Sequence, residues 1–292
     1  WFEQHSPIAD EHKRDKVVGI SAKVITVIVE AGDADPTTPV GINLPNANWI
    51  RKEHGSKSVF LGNIMDAYEI ARKQSGVLEE FTASEEEKAR AKKYGEVASA
   101  LKVDMHEVIG HASGRIQDGV GTPKETLKSY ASALEEARAD LVALYYVMDR
   151  KLIELGVMET LEVGKAAYDA YIVNGLLVQL ARVPLGETIE QSHMRNRQMI
   201  SSWVFEQGKA DKVIERVERG GETYFVIRNY EKLRGLFAKL LREVQRIKSQ
   251  GDFVAGKKLI EGYGVEIEAK LHRQVRDRYA KLKAKPFSGF IQ

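Results

Sequence analysis

The chain has 292 residues, with 44 lysines and arginines against 42 aspartates and glutamates, which gives a formal net charge of +2. Its hydrophobic fraction of 43% and charged fraction of 29% are those of a folded protein of one or two domains, which excludes intrinsic disorder. The near-neutral charge argues against a nucleic-acid partner, because such a partner requires clustered basic residues. Since there is no cysteine, disulfides, thiolate metal sites and cysteine nucleophiles are excluded, and any metal must be bound by histidines and carboxylates.

The two ends of the chain indicate a segment of a longer protein. Trp1 opens the sequence without the basic region and apolar run of a signal peptide, and the chain stops directly after the apolar pair Phe290 and Ile291. No apolar run approaches the roughly 18 residues that cross a bilayer, so we expect no membrane partner. We predict a cytoplasmic location.

The first fifty residues predict a short β element followed by a loop. Residues 16–30 are rich in valine, isoleucine and threonine in partial alternation, which is typical of one or two strands. Residues 32–48 contain three prolines and two glycines, which predicts a long loop. A loop of that length within a compact domain is usually functional.

From Asn63 onward the pattern is mainly helical. Ser84 begins a capping box for a charged helix, which is followed by a helix from about 94 to 110 with one apolar face. Thr122 and Pro123 predict the start of a further helix that ends before Gly156. The other predicted elements are helices at about 160–182, 187–206, 229–249 and 265–284, and a small strand at 224–228. The predicted fold class is therefore mainly α, with a short β element near the N-terminus.

Two histidines with a glutamate between them, His106, Glu107 and His111, are the first candidates for metal chemistry. The common zinc-hydrolase motif spaces its histidines four residues apart on one helix face. The spacing here is five, and on a regular helix such side chains point about 140° apart rather than about 40°. A one-residue π-type insertion would bring both onto a common face, and Gly110 is the residue best able to accept it. We therefore predict a widened turn at Val108–Gly110, with Glu107 in the position of a general base; the alternative is a surface helix with two unrelated histidines.

A carboxylate pair on the next predicted helix supplies the third candidate ligand. Glu136 and Asp140 lie four residues apart on one face, while Glu135 and Ala139 are expected to turn away from it. Because the neighbouring residues are largely apolar, we expect a half-buried helix whose carboxylates need a partner. Glu136 would complete a site of two histidines and one glutamate, and Asp140 would accept the free ring N–H of a histidine ligand. The alternative is a solvated, charged helix face.

The two motifs together resemble those of the dipeptidyl peptidase III family of zinc metallopeptidases. Residues 106–111 match the family's six-residue His-Glu-x-x-Gly-His motif, and residues 135–140 match its Glu-Glu-x-Arg-Ala-Asp/Glu motif. Shorter matching segments lie along most of the chain, at residues 41–46, 58–63, 110–114, 192–197, 258–263 and 276–277.

The resemblance implies roles for the residues of both motifs. His106, His111 and Glu136 are implied to bind one zinc ion per chain, although this donor set would also accept cobalt or copper. Glu107 is implied to be the base that deprotonates the zinc-bound water and then passes the proton to the leaving amine. Asp140 is implied to hold a zinc-binding histidine from behind.

The resemblance also implies substrate contacts. Asn43 and Asn46 are implied to hold the N-terminal portion of the peptide, His193 to stabilise the tetrahedral intermediate, and Arg197 to contact the substrate or that histidine. Judged from the residues alone, the favoured interpretation of the two asparagines is that they are turn residues beside Pro45. The alternative for His193 is a buried helix histidine, and that for Arg197 is an ordinary surface cation. Both interpretations stay open at this point.

The family has two lobes, a mostly β lower lobe and a mostly helical upper lobe that carries the zinc, with the substrate in the cleft between them. This chain is less than half as long as the family members and resembles the catalytic upper lobe. The resemblance divides it into residues 1–50, a strand and loop that belong to or lead from a missing lower lobe, and residues 51–292, a mostly helical catalytic lobe.

Some of the family's substrate-binding residues have no counterpart in this sequence. The catalytic tyrosine and the acidic residue that binds the substrate's amino terminus lie upstream of the region that matches Trp1. The arginine that binds the substrate's carboxylate has only Lys281, Lys283 and Lys285 as nearby candidates. The predicted function is zinc-dependent release of dipeptides from the N-terminus of short peptides. The alternative is a zinc-containing peptide-binding or regulatory module that lacks turnover.

Overall fold

The computed structural model describes residues 1–17, 21–29, 39–44, 50, 54–55 and 57–282. Helices make up most of this part of the chain, as the sequence predicts, and none of them is long and apolar enough to cross a bilayer. The strands are β1 (Ser21–Ile25), β2 (Gly41–Leu44), β3 (Lys57–Leu61), β4 (Ile214–Arg219) and β5 (Glu222–Ile227). The α-helices are α1 (Phe2–His5), α2 (Gly62–Gln74), α3 (Val77–Phe81), α4 (Glu85–Asp104), α5 (Pro123–Thr126), α6 (Ala131–Tyr146), α7 (Lys151–Glu154), α8 (Glu162–Leu176), α9 (Ser192–Gln207), α10 (Tyr230–Gln250), α11 (Phe253–Tyr263) and α12 (Ala269–Ala280).

A small sheet near the N-terminus has the strand order β1-β3-β2. Strand β3 is central, parallel to β1 and antiparallel to β2, with Ser21 opposite Lys57 and Gly41 opposite Phe60. Strand β2 lies inside the segment for which a long loop is predicted, so that prediction is wrong at residues 41–44; residues 32–38 and 45–48 lie outside the described part. Among the described residues of the β-rich segment 16–30, β1 is the only strand. Phe60 of β3 is buried at 3% exposure.

The helical core is built around α6. This helix is buried over most of its length, and Leu134, Leu141 and Leu144 are fully buried. It packs against α9, α10 and the turn that follows α4. The long helix α4 begins at the Ser84 cap, whose hydroxyl accepts a hydrogen bond from the Glu87 amide at 3.2 Å, and it packs along α8.

Several element boundaries differ from the sequence prediction. The single helix predicted from Thr122 to about 155 is divided into α5, a 3-10 turn at Lys128–Tyr130, α6 and α7. Lys128 has a φ of 52°, which a continuous helix does not allow. The predicted strand at 224–228 is the second strand of the hairpin β4–β5, whose charged first strand gave no clear β pattern. Helix α11 was also missed; Asp252 caps it by accepting a hydrogen bond from the Ala255 amide at 3.0 Å.

The first fourteen residues pack against the helical core. The buried carboxylate of Glu3 accepts hydrogen bonds from the amides of Arg14 at 2.7 Å and Gly114 at 3.0 Å. The guanidinium of Arg14 in turn donates to the Gly114 carbonyl at 2.8 Å. This segment therefore holds the loop that follows His111. The division of the chain into residues 1–50 and 51–292 stays a prediction.

Candidate metal centre

The helical segment that carries the two histidines is a π-helix over Met105–Gly110. The His111 amide donates to the His106 carbonyl at 3.0 Å, which is the i to i+5 hydrogen bond of a widened turn. The two imidazole rings lie 4.8 Å apart between centroids with their planes 86° apart, so both face one region. The predicted widening is confirmed, although it begins three residues earlier than Val108.

Gly110 allows this turn to lie directly on α6. A Cβ added at Gly110 would lie 2.8 to 2.9 Å from the Cα, Cβ and carbonyl oxygen of Ala139. Backbone atoms cannot move aside as a flexible side chain can, so the position requires glycine. The close approach brings the histidine motif against the carboxylate motif of α6.

The donor atoms of His106, His111 and Glu136 lie within 4.8 Å of one another. In both histidines Nδ1 faces a carboxylate, Asp140 for His106 at 2.9 Å and Glu135 for His111 at 2.9 Å. An ionised carboxylate only accepts hydrogen bonds, so each Nδ1 carries a proton, and Nε2 is the ring nitrogen that can offer a lone pair to a metal. The His106 Nε2 lies 3.2 Å from Glu136 Oε2. Two imidazole nitrogens and one carboxylate fit a zinc ion, whose hydrolytic sites often use this set.

Asp140 supports His106 from a buried position. Its carboxylate is 3% exposed and accepts, besides the His106 N–H, the Tyr171 hydroxyl at 3.0 Å and the Lys102 ammonium at 3.3 Å. Burial raises the pKa of this carboxyl, but Lys102 and His106 outweigh burial and hold the pKa well below its usual range. Asp140 is therefore a fixed negative charge behind the ring, as its predicted role requires.

Glu135 supports His111 in the same way, contrary to the expectation that Glu135 and Ala139 turn away. The π-turn packs closely on α6 at Ala139, and His111 reaches Glu135 on the same helix, so the contacting face of α6 includes both residues. Burial raises the pKa of the Glu135 carboxyl, but Arg138 and Lys248 outweigh burial and hold it well below its usual range. Burial, with the neighbouring Arg138, also lowers the pKa of Lys248 to about 8. The signal that was missed is the pair of adjacent glutamates, since a two-histidine site has two ring N–H groups to satisfy.

His106 lies between two carboxylates in this arrangement. Burial alone lowers the pKa of a histidine, but the hydrogen bonds to Asp140 and Glu136 outweigh it and raise the pKa of His106 to about 9. Burial raises the pKa of Glu136, yet the interaction with His106 is stronger and leaves it lowered. A cation at Nε2 therefore replaces a proton that the same carboxylates attract.

Glu107 lies where the small sheet meets the π-turn. A Cβ added at Gly41 of β2 would lie 3.3 Å from Cγ and Oε1 of Glu107, so glycine leaves room for this carboxylate. The Ser58 hydroxyl of β3 donates to the Glu107 carbonyl at 3.2 Å. The sheet thus positions both the backbone and the side chain of the candidate base, directly next to His106.

The structure brings His193 to the centre, on the first turn of α9. Its Nδ1 lies 3.4 Å from Glu136 Oε2 and its side chain is 56% exposed, so the interpretation as a buried core histidine is wrong. Arg197 is half-buried and donates to Gln179 Oε1 at 3.2 Å, which also excludes a fully exposed surface cation. Its charge contributes to the low pKa of Asp140.

The remaining predicted substrate residues lie at the limits of the described chain. Asn43 is on β2, opposite Ser58, and its side chain lies outside the described part, as does Asn46. Lys281 directly follows α12, whereas Lys283 and Lys285 lie outside the described residues. Their roles stay predictions.

Comparisons with known proteins show the family to which the chain belongs. The family model for peptidase family M49 matches residues 32–121 and 117–292. The chain belongs to this family. It is 29% identical to dipeptidyl peptidase 3 of Mus musculus over 90% of this chain, but it spans only 39% of the mouse protein.

Two solved structures share the fold. The structure of DPP III from Caldithrix abyssi has a TM-score of 0.74 at 24% identity and covers 97% of this chain, which corresponds to 51% of that chain. The structure of dipeptidyl-peptidase III from Corallococcus sp. strain EGB has a TM-score of 0.76 at 19% identity, again with 97% of this chain and 49% of that chain covered. The prediction of a mainly helical lobe of this family is confirmed.

Proposed function

We propose that this chain is the catalytic lobe of a zinc-dependent peptidase that releases dipeptides from the N-terminus of short peptides. The observation that carries the proposal is the meeting of His106, His111 and Glu136 donor atoms within 4.8 Å, with each histidine held at Nδ1 by its own carboxylate. Membership of peptidase family M49 and similarity to dipeptidyl peptidase 3 support the peptide substrate. A cytoplasmic location is part of the same proposal.

His106, His111 and Glu136 would hold the zinc ion, and Asp140 and Glu135 would keep the two imidazoles in the binding tautomer. When bound, zinc would polarise the scissile carbonyl and lower the pKa of a water molecule. Side chains of the protein would carry out the proton transfers, the stabilisation of the oxyanion and the binding of the substrate.

Glu107 is proposed as the general base. Its carboxylate takes a proton from the attacking water and later returns it to the amine that leaves, which is the usual division of labour for a carboxylate beside such a centre. Its position next to His106 and against β2 supports this role. The base and the candidate ligand lie on the same π-turn, which fixes the position of one relative to the other.

His193 is proposed to stabilise the developing oxyanion by donating a ring N–H. Its exposed ring beside Glu136 lies on the open side of the centre, where a substrate carbonyl can reach it. Arg197, half-buried against Gln179, is proposed to contact the substrate, and Asn43 and Asn46 to hold its N-terminal portion. For Asn43 the support is its place on β2, the strand that also packs against Glu107.

A lower lobe of the same polypeptide is proposed to close the substrate cleft. The small sheet and the residues that follow β1 leave apolar side chains in solvent: Val24 of β1 is 72% exposed, Leu44 of β2 is 47% exposed, and Ile28, beyond the end of β1, is 95% exposed. A surface of this kind is typical of an interface. The chain also spans 39% of the mouse relative, which leaves ample length for a second lobe.

That partial coverage favours one second candidate function. Without the rest of the relatives' length, the centre could bind peptide and zinc but not turn peptide over, as a peptide-binding or regulatory module. Peptide that binds to the zinc-loaded chain without being cleaved would support this second candidate.

The test is release of a fluorogenic dipeptide by the zinc-loaded protein and by its Glu107→Ala variant. We expect the variant to keep one zinc per chain and to lose about 10²- to 10⁴-fold in kcat/KM, the usual contribution of general acid–base catalysis. Metal analysis of both proteins serves as the control. Equal, measurable turnover by the two proteins would contradict the assignment of Glu107, no turnover by either would favour the second candidate, and absence of bound metal would contradict the centre itself.

A further inference from the structure

The support of His111 extends beyond Glu135 to a third helix. The carboxylate of Glu135 divides its oxygens between three partners: Oε1 faces His111 Nδ1 at 2.9 Å and accepts from Arg138 at 2.6 Å, while Oε2 accepts from Lys248 of α10 at 2.5 Å. Arg138 also reaches Oε2 through Nε, at the longer distance of 3.2 Å. The shortest contact of Oε2 is therefore the one from Lys248.

Arg138 contacts both oxygens of this carboxylate, but its contact with Oε2 is the longer one, and its guanidinium also has a second set of partners. It is fully buried, and one of its nitrogens donates to the Gly110 carbonyl at 2.7 Å and to the carbonyl and hydroxyl of Ser113 at 2.9 and 2.8 Å. These bonds hold the end of the π-turn. Lys248 therefore provides the shorter of the two contacts to Oε2 that restrain rotation of Glu135 about its last side-chain bond.

Lys248 is placed to do this because α10 is tied to the loop that follows His111. The Arg115 carbonyl accepts hydrogen bonds from the Ser249 hydroxyl at 2.6 Å and the Gln245 amide at 3.4 Å. The Gln117 amide donates to the Ser249 carbonyl at 2.9 Å. The ammonium of Lys248 is thereby fixed relative to the π-turn, and its side chain is only 16% exposed.

We propose that Lys248 is a positioning residue for the metal centre, which holds Glu135 in the orientation that keeps the His111 ring aimed at the metal. This inference rests on the proposed metal-binding function of His106, His111 and Glu136. Among the described residues, the ion pair of Lys248 is with Glu135 and not with a candidate metal ligand, so its effect passes through Glu135. Lys102 has the corresponding place behind Asp140, but there the Tyr171 hydroxyl already holds the second oxygen at 3.0 Å.

The test measures zinc and cobalt affinity by competition with a chelating dye for Lys248→Met, Lys248→Gln and Lys248→Arg. Direct partners of ligating histidines change metal affinity by about 10- to 100-fold, so we expect about three- to tenfold weaker binding for Lys248→Met, one step further away. Lys248→Arg keeps a cationic N–H donor at this position and is expected to bind zinc more tightly than Lys248→Met. The visible absorption of the cobalt protein is expected to change in Lys248→Met and to return in Lys248→Arg.

Two further variants make the outcome specific. Lys239→Met removes an exposed lysine from the same helix and is expected to leave affinity unchanged. Unchanged or tighter binding by Lys248→Met overturns the inference, as does an equal loss in Lys239→Met, which would indicate a general charge effect.

Should Lys248→Met fail to fold, as judged by urea unfolding of the metal-free protein, the same comparison is made with Lys248→Gln. Glu136→Ala separates the two levels: metal binding that survives in this variant refutes the proposed centre, whereas loss in Glu136→Ala with no effect of the Lys248 variants refutes only the positioning role.

Discussion

The replacement Asp140→Asn tests how the buried carboxylate controls the metal centre. Asparagine has nearly the same shape, and its carbonyl oxygen can still accept the His106 N–H, so the ring orientation is kept. What is lost is the negative charge, and with it the charge-assisted character of bonds to His106 at 2.9 Å and Lys102 at 3.3 Å. Charge-assisted hydrogen bonds are about twice as strong as neutral ones. We therefore expect about tenfold weaker zinc binding, the lower end of the range of about 10- to 100-fold for such partners.

The pH at which affinity is measured decides how much of this loss is visible. Asp140 also raises the pKa of His106 to about 9, so at pH 7 the metal must displace a proton that Asp140 helps to retain. Removing the charge lowers that pKa and eases the competition with protons, which offsets part of the loss at pH 7. At pH 9 this competition is small, and the full loss is expected. Zinc affinity of the parent protein and Asp140→Asn is therefore measured by chelator competition at both values.

Two variants set the limits of this experiment. Asp140→Ala also leaves the His106 N–H and the Lys102 ammonium without their acceptor and is expected near the 100-fold end of the range. Asp169→Asn removes a carboxylate of similar burial that is paired with Arg90 away from the metal ligands, and is expected to leave zinc affinity unchanged. Binding by Asp140→Asn within twofold of the parent protein at pH 9 would refute the idea that Asp140 acts on the metal through His106.

Three further predictions concern pH, packing and metal removal. In the metal-free protein, the raised pKa of His106 contributes stability that is fully present below pH 6.5 and is lost as pH rises through about 9; urea midpoints that rise over this range would contradict it. Gly110→Ala forces a Cβ against Ala139 and is expected to destabilise the fold by about 1–3 kcal/mol. The control Gly235→Ala places its Cβ in open space on α10 and is expected to be neutral or stabilising by up to about 1 kcal/mol. Equal unfolding midpoints for the two variants would show that the contact between Gly110 and Ala139 is not tight. Removing zinc present at about 100 times its dissociation constant is expected to lower the free energy of unfolding by about 2.7 kcal/mol, and a melting temperature that does not respond to chelator would refute this.

The sequence by itself was enough to predict the candidate ligands and the local geometry of the proposed metal centre. The five-residue spacing of His106 and His111, with Gly110 before the second histidine, predicts a widened turn because a regular helix cannot aim both rings at one point. The pairing of Glu136 and Asp140 follows from helical periodicity, and the absence of cysteine leaves only nitrogen and oxygen ligands. These inferences hold because they rest on local geometry, in which neighbours along the chain determine the outcome. The same reason explains why the Ser84 cap was predicted correctly.

Only the tertiary structure decided which residues stand behind the ligands and where the weaker elements lie. Helical periodicity predicts that Glu135 points away from the face shared by Glu136 and Asp140, because it considers one helix alone. Its contact with His111 arises from the packing of the π-turn on α6. Lys248 lies 113 residues from its partner, and no local pattern connects the two. Strand β2 was interpreted as loop because its few residues become a strand only by pairing with β3. Ligands on one helix turn are determined locally, but the charges that hold them come from helices that meet only when the chain has folded.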